Sequence, residues 1–142
     1  MVAAARAANA AMPEHAVDLL AQELGNLSGK NIAVLGISYR GGVKESAFSG
    51  VFPTVAALTA KGAKVVVHDP MYTDDEIKSL GFTPFKIGGA VDGMILQADH
   101  AEYKKLTSSD FPGVNAVVDG RRALDASKFA GIVVRVIGAP AN

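Results

Sequence analysis

The stretch GISYRGGVKES, residues 36–46, follows an apolar run and combines three glycines with two cations, Arg40 and Lys44. Glycine permits tight backbone turns. Lysine binds phosphate as a point charge, and arginine presents a planar fork matched to phosphate oxygens. Anion binding is therefore the chemistry this loop could offer. The glycines fall at Gly36, Gly41 and Gly42, which is not the G-x-G-x-x-G spacing of a dinucleotide cradle. Further along, DGRR places Arg121 and Arg122 behind another apolar run. Arg40, Lys44 and Arg121 are thus the candidate anion-binding set. Each is equally readable as a solvated surface charge, and Gly41-Gly42 as a simple tight turn.

Other polar residues have weaker claims. Tyr39 could stack on a base or sugar, or pack against its surroundings. Asp69-Pro70 reads as turn chemistry, although an acid after a second strand can also hold a ribose hydroxyl. Asp99 reads as a helix cap rather than a catalyst. The three histidines, His15, His68 and His100, fall on separate segments, so no metal site is expected. There is no G-x-S-x-G elbow and no cysteine, which removes the familiar nucleophiles, thiolate metal sites and disulfides from these residues. No catalytic group stands out.

The elements that must position these residues are legible in the apolar pattern. NIAVLG (31–36), KVVVHD (64–69), GMILQA (93–98), NAVVDG (115–120) and GIVVRVI (131–137) are short, rich in Val and Ile, and do not alternate. Such runs are expected for strands buried on both faces of a parallel sheet. Between the first two lies a helix with Val51, Val55 and Leu58 on one face, started near Pro53 and ended by Gly62. TDDEIKSLG carries a capping box, Thr73 with Glu76, and DHAEYKKL has a similar start, Asp99 with Glu102. Strand and helix in alternation predict an α/β fold, a Rossmann-like open parallel sheet with flanking helices. Ligands collect at the carboxyl ends of strands in such sheets, and all three candidate cations follow strand ends.

Ahead of the sheet, residues 2 to about 25 form an alanine-rich helical stretch interrupted by Pro13. Val17, Leu20 and Leu24 make an apolar stripe that must pack on the sheet, self-associate or stay in water. Gly25 suits the helix end, and NLSGK reads as a linker. The chain thus divides into residues 1–28 and 29–142. Its 142 residues can bury a core of their own. Fourteen basic residues balance fourteen acidic ones, so net charge argues for neither nucleic acid nor an anionic membrane as partner. No apolar run is long enough to span a bilayer, and a cytoplasmic protein is the default expectation.

VLGISYRGGVKESAFSG, VVVHDP, LQADHAEYKKL and VVDGRRALD, in that order, resemble the C-terminal UDP-binding domain of the UDP-glucose/GDP-mannose dehydrogenase family. RAANAAMPEHAVDLL is similar to the helix leading out of that family's central, dimer-forming domain. Within the family, YRGGVKE is similar to the branch that oxidises UDP-N-acetylmannosamine and related sugars. The resemblance implies an NAD-dependent enzyme that oxidises a UDP-sugar's C6 alcohol to a carboxylate through a thiohemiacetal on a cysteine. It implies that Tyr39, Arg40 and Arg121 contact the UDP-sugar, and that Lys44 faces the NAD pyrophosphate across an interdomain cleft. A homodimer is implied for the full-length enzyme. With no cysteine and no dinucleotide motif, this chain is expected to be inactive alone, as the C-terminal piece of a larger enzyme. Two other readings remain open here: a non-catalytic nucleotide-binding or regulatory module, and an oligomerisation fragment without nucleotide preference.

Overall fold

The computed structural model describes residues 15–37, 50–121 and 124–137. All five expected strands are present: β1 Asn31–Leu35, β2 Lys64–His68, β3 Gly93–Leu96, β4 Ala116–Asp119 and β5 Val133–Val136. They form one parallel sheet in the order β2-β1-β3-β4-β5. The apolar runs lack alternation because both faces are covered. Ile32, Val34, Val67, Ile95 and Val118 point to one side, and Ala33, Leu35, Met94, Leu96 and Val117 to the other.

Three helices contribute to the first face: α1 (15–24), α2 (Val51–Ala60) and α3 (Asp74–Ser79). The stripe on α1 packs on the sheet, with Val17 and Leu20 fully buried and Leu24 partly so. Gly93, the first residue of β3, makes room for it. A Cβ there would stand 2.7 Å from Leu24 Cδ1 and 3.1 Å from Leu20 Cδ1. Gly25 ends α1 at φ 76°, its amide donating to the Ala21 carbonyl at 2.8 Å. Pro13 and the residues before it lie outside the described residues. Helix α3 opens with the expected capping box, in which Thr73 and Glu76 each accept the other's backbone N–H.

The second face is covered by loops and short 3₁₀ turns carrying Phe85, Tyr103, Leu106, Phe111 and Phe129. Here one expectation fails. The segment after β3 is a 3₁₀ helix, Ala101–Lys105, whose N-cap is His100 rather than Asp99 and which has no side-chain cap. The His100 imidazole is instead held by a residue 31 positions away. Among the described residues, no helix is long and apolar enough to cross a membrane.

Candidate functional site

The strand order reverses between β1 and β3, so the crevice outside their carboxyl ends is where an open α/β sheet gathers ligands. Gly36 and Ile37 leave β1 there, and Gln97 and Ala98 leave β3. Gly36 has φ 107°, and a Cβ on it would lie 2.5 Å from Ala98 Cβ. Only glycine fits this close crossing of the two chains. Gly50, the N-cap of α2, is abutted by the Gln97 amide, whose Nε2 is 2.5 Å from where a Cβ would sit. Thr54 Oγ1 donates to the Gly50 carbonyl at 2.7 Å and lies 3.3 Å from Gln97 Oε1. The Gln97 side chain is thereby wedged against the start of α2.

On the β4 side, Arg121 is exposed, and its Nε donates to the Gln97 carbonyl oxygen at 3.0 Å. This places Arg121 at the end of β3, beside the reversal point, as expected for a strand-end cation. The turn that carries it starts from Asp119, which is 1% exposed. Asp119 Oδ1 accepts from the Arg121 amide at 3.0 Å, and Oδ2 accepts from the Leu124 amide at 2.9 Å. Gly120 donates to the Leu96 carbonyl at 3.1 Å. Tyr39, Arg40 and Lys44 lie outside the described residues, as does Arg122.

A second buried carboxylate holds the β1 side. The Asp69 side chain has no solvent exposure, and that of His100 has 1%. Asp69 Oδ2 accepts from the Ile37 amide at 2.7 Å and from His100 Nε2 at 2.9 Å, and Oδ1 accepts from the Met71 amide at 2.8 Å. One side chain thus ties together the exits of β1, β2 and β3. The Met71 bond is the Asx-turn expected of Asp69-Pro70. The carboxylate has no solvent exposure and is engaged by donors inside the fold.

Next to it, the Tyr103 hydroxyl donates to the His68 carbonyl at 3.2 Å and lies 3.0 Å from His68 Nδ1. Burial lowers the His68 pKa below its ordinary value, against the opposing charge of Asp69. Burial also pushes the Tyr103 hydroxyl far above the usual phenol range, so it stays neutral. A cleft of about 520 Å³ opens beside His68, walled by Tyr72, Asp74, Phe85 and Lys86 among others. Among the described residues its walls include Asp69 but neither Gln97 nor Arg121.

Gln97, Asp119, His100 and Tyr103 had no functional role on sequence grounds. The available signal was an Asp immediately closing an apolar strand, as in VVVHD and AVVD. Such a carboxylate is poorly placed to reach solvent.

The UDP binding domain of the UDP-glucose/GDP-mannose dehydrogenase family matches residues 33–126. The chain is 28% identical over 129 residues to UDP-N-acetyl-D-mannosamine dehydrogenase of Methanocaldococcus jannaschii, covering 91% of this chain and 30% of that protein. It is 29% identical over 120 residues to a UDP-glucose 6-dehydrogenase of Haloferax volcanii, covering 80% of this chain and 28% of the relative. Among solved structures, a UDP-glucose dehydrogenase from Pyrobaculum islandicum superposes with a TM-score of 0.72 at 30% identity, over 87% of this chain and 29% of that one. The chain therefore spans roughly 30% of the length of the curated relatives it matches.

Proposed function

The chain belongs to the UDP-glucose/GDP-mannose dehydrogenase family, and we propose that it supplies the UDP-sugar binding domain of an NAD-dependent nucleotide-sugar 6-dehydrogenase. The substrate class is a UDP-hexose or UDP-N-acetylhexosamine, oxidised at C6 to its uronic acid. Residues 29–142 are the binding domain, and residues 1–28 lead in from a dimer-forming domain. One observation carries the reading: Arg121 is exposed at the strand-reversal point, with its guanidinium anchored through Nε to the Gln97 carbonyl. A guanidinium carries several N–H donors in a rigid fork, the chemistry of a charge-assisted contact to a diphosphate or sugar oxygen. Tyr39 and Arg40 join Arg121 on the substrate, and Lys44 faces the NAD pyrophosphate.

The described residues do not fit a dinucleotide held within this domain. At Gly36, the space that a cradle glycine keeps open is filled by Ala98. The acid after β2, Asp69, is buried and committed to three donors. NAD is therefore assigned to another domain of the enzyme. These 142 residues contain no cysteine on which a thiohemiacetal could form. The role proposed for them is to hold and orient the nucleotide end of the substrate.

The test is calorimetric titration of the chain with UDP, UDP-N-acetylglucosamine, GDP and ADP, repeated on Arg121→Ala. Uridine nucleotides are expected to bind preferentially. Loss of one charge-assisted contact should weaken UDP binding by roughly ten- to a hundredfold. Failure to bind UDP, or equal affinity for all four nucleotides with Arg121→Ala unchanged, overturns the reading.

A further inference from the structure

Arginine is a long side chain rich in rotamers, so an exposed arginine binds well only if something holds it before the ligand arrives. The surroundings of Arg121 contain such a device. Asp119 is the last residue of β4 and is 1% exposed. Its two oxygens do not share a donor. Oδ1 takes the Arg121 amide at 3.0 Å and Oδ2 takes the Leu124 amide at 2.9 Å, so one carboxylate holds both backbone N–H groups. Its carbonyl also accepts from Ile137 at 3.0 Å, locking the residue to the end of β5.

Gly120 then presses the turn onto β3. Its amide donates to the Leu96 carbonyl, and a Cβ on it would stand 2.8 Å from that same oxygen. Only after these two constraints does the Arg121 Nε meet the Gln97 carbonyl.

We propose that Asp119 is the positioning residue for Arg121: its buried carboxylate holds the Arg121 and Leu124 amides together and so aims the guanidinium along the carboxyl edge of β3. The proposal rests on the reading that Arg121 contacts the UDP-sugar. It adds that affinity depends on a residue with no solvent-facing atoms of its own to offer the ligand. A merely structural Asp119 would lower stability and affinity independently of Arg121. A positioning Asp119 acts on affinity only through Arg121.

Asp119→Asn retains the shape and one acceptor, but sets an amide N–H against the Leu124 N–H. Gly120→Ala leaves Asp119 intact and displaces the turn from Leu96, which provides a second variant should the first fold poorly. For the full chain, each is expected to weaken UDP binding about two- to tenfold, the cost of ordering one free rotamer-rich side chain. In an Arg121→Ala background, the same substitutions should change UDP affinity less than about twofold. An equal loss in both backgrounds overturns the proposal.

A ligand-independent readout is the Arg121 Nε–H resonance in ¹⁵N-labelled protein. It is expected as a discrete, slowly exchanging signal in the parent and as a fast-exchanging one in Asp119→Asn. If the parent binds no UDP, the nucleotide reading falls, and this signal alone decides whether Asp119 positions Arg121. An unchanged Nε–H signal in the variants overturns the positioning role whatever the titrations give.

Discussion

Replacing Asp69 with alanine removes the acceptor for three donors among the described residues. The Met71 amide belongs to a residue 37% exposed, so water can take that bond over at little cost. The other two donors have no such recourse. Ile37 is fully buried, and the His100 side chain is 1% exposed. An unsatisfied buried donor costs about 1–3 kcal/mol, so two cost roughly 2–6 kcal/mol. Breaking a buried hydrogen-bonded pair from one side independently gives about 3–5 kcal/mol. For a domain of this size that corresponds to a drop in Tm of roughly 10–20 °C.

Asp69→Asn should behave differently. Both buried donors converge on Oδ2, which an asparagine carbonyl can replace, while its NH₂ faces the more exposed Met71 amide. A loss below about 2 kcal/mol is expected for this variant. Urea unfolding followed by far-UV circular dichroism measures both, and native-state exchange of the Ile37 amide reports the local consequence. An alanine variant within about 1 kcal/mol of the parent, or an asparagine variant as damaging as alanine, refutes the accounting. Ile37 stands two positions before Tyr39 in the chain, so the local loss falls next to the residues proposed to meet the substrate.

Two further outcomes are expected. Burial lowers the folded-state pKa of His68, so the unfolded chain binds more protons as pH falls below the ordinary histidine value of about 6.5. The stability this contributes is complete above that value and is lost as pH drops through the folded pKa; in urea titrations from about pH 7 to about pH 5, His68→Gln should flatten the slope, and an unchanged slope would count against it. Leu20→Ala, at a fully buried position of α1 over Gly93, should cost about 2–5 kcal/mol by thermal or urea unfolding, whereas a loss under about 1 kcal/mol would mean that α1 does not dock on the sheet as described.

The five strands, α2 and the capped start of α3 were readable from sequence because each depends on local pattern. A strand covered on both faces must be apolar at successive positions, and a capping box closes within three residues. The Asp99–Glu102 start misled because the same local spacing is overridden when the neighbouring His100 is drawn into a contact with Asp69. Arg121 was legible as a strand-end cation, but nothing near it in the chain announces Gln97, 24 residues away, as its anchor.

By itself, the sequence determined that this is a parallel α/β domain of a nucleotide-sugar dehydrogenase family, with its cations behind its strands. Composition, run length and ordered motifs are properties of neighbouring residues, and they survive without knowledge of the fold. Only the tertiary structure decided that the Asp69 and Asp119 carboxylates are buried and hydrogen-bonded to donors inside the fold. Asp69 Oδ2 receives its donors from residues 31 and 32 positions away, and Asp119 is held at the end of β4 by the bond from Ile137. Strand order brings these groups together, and strand order is a long-range property that no local window of the chain contains.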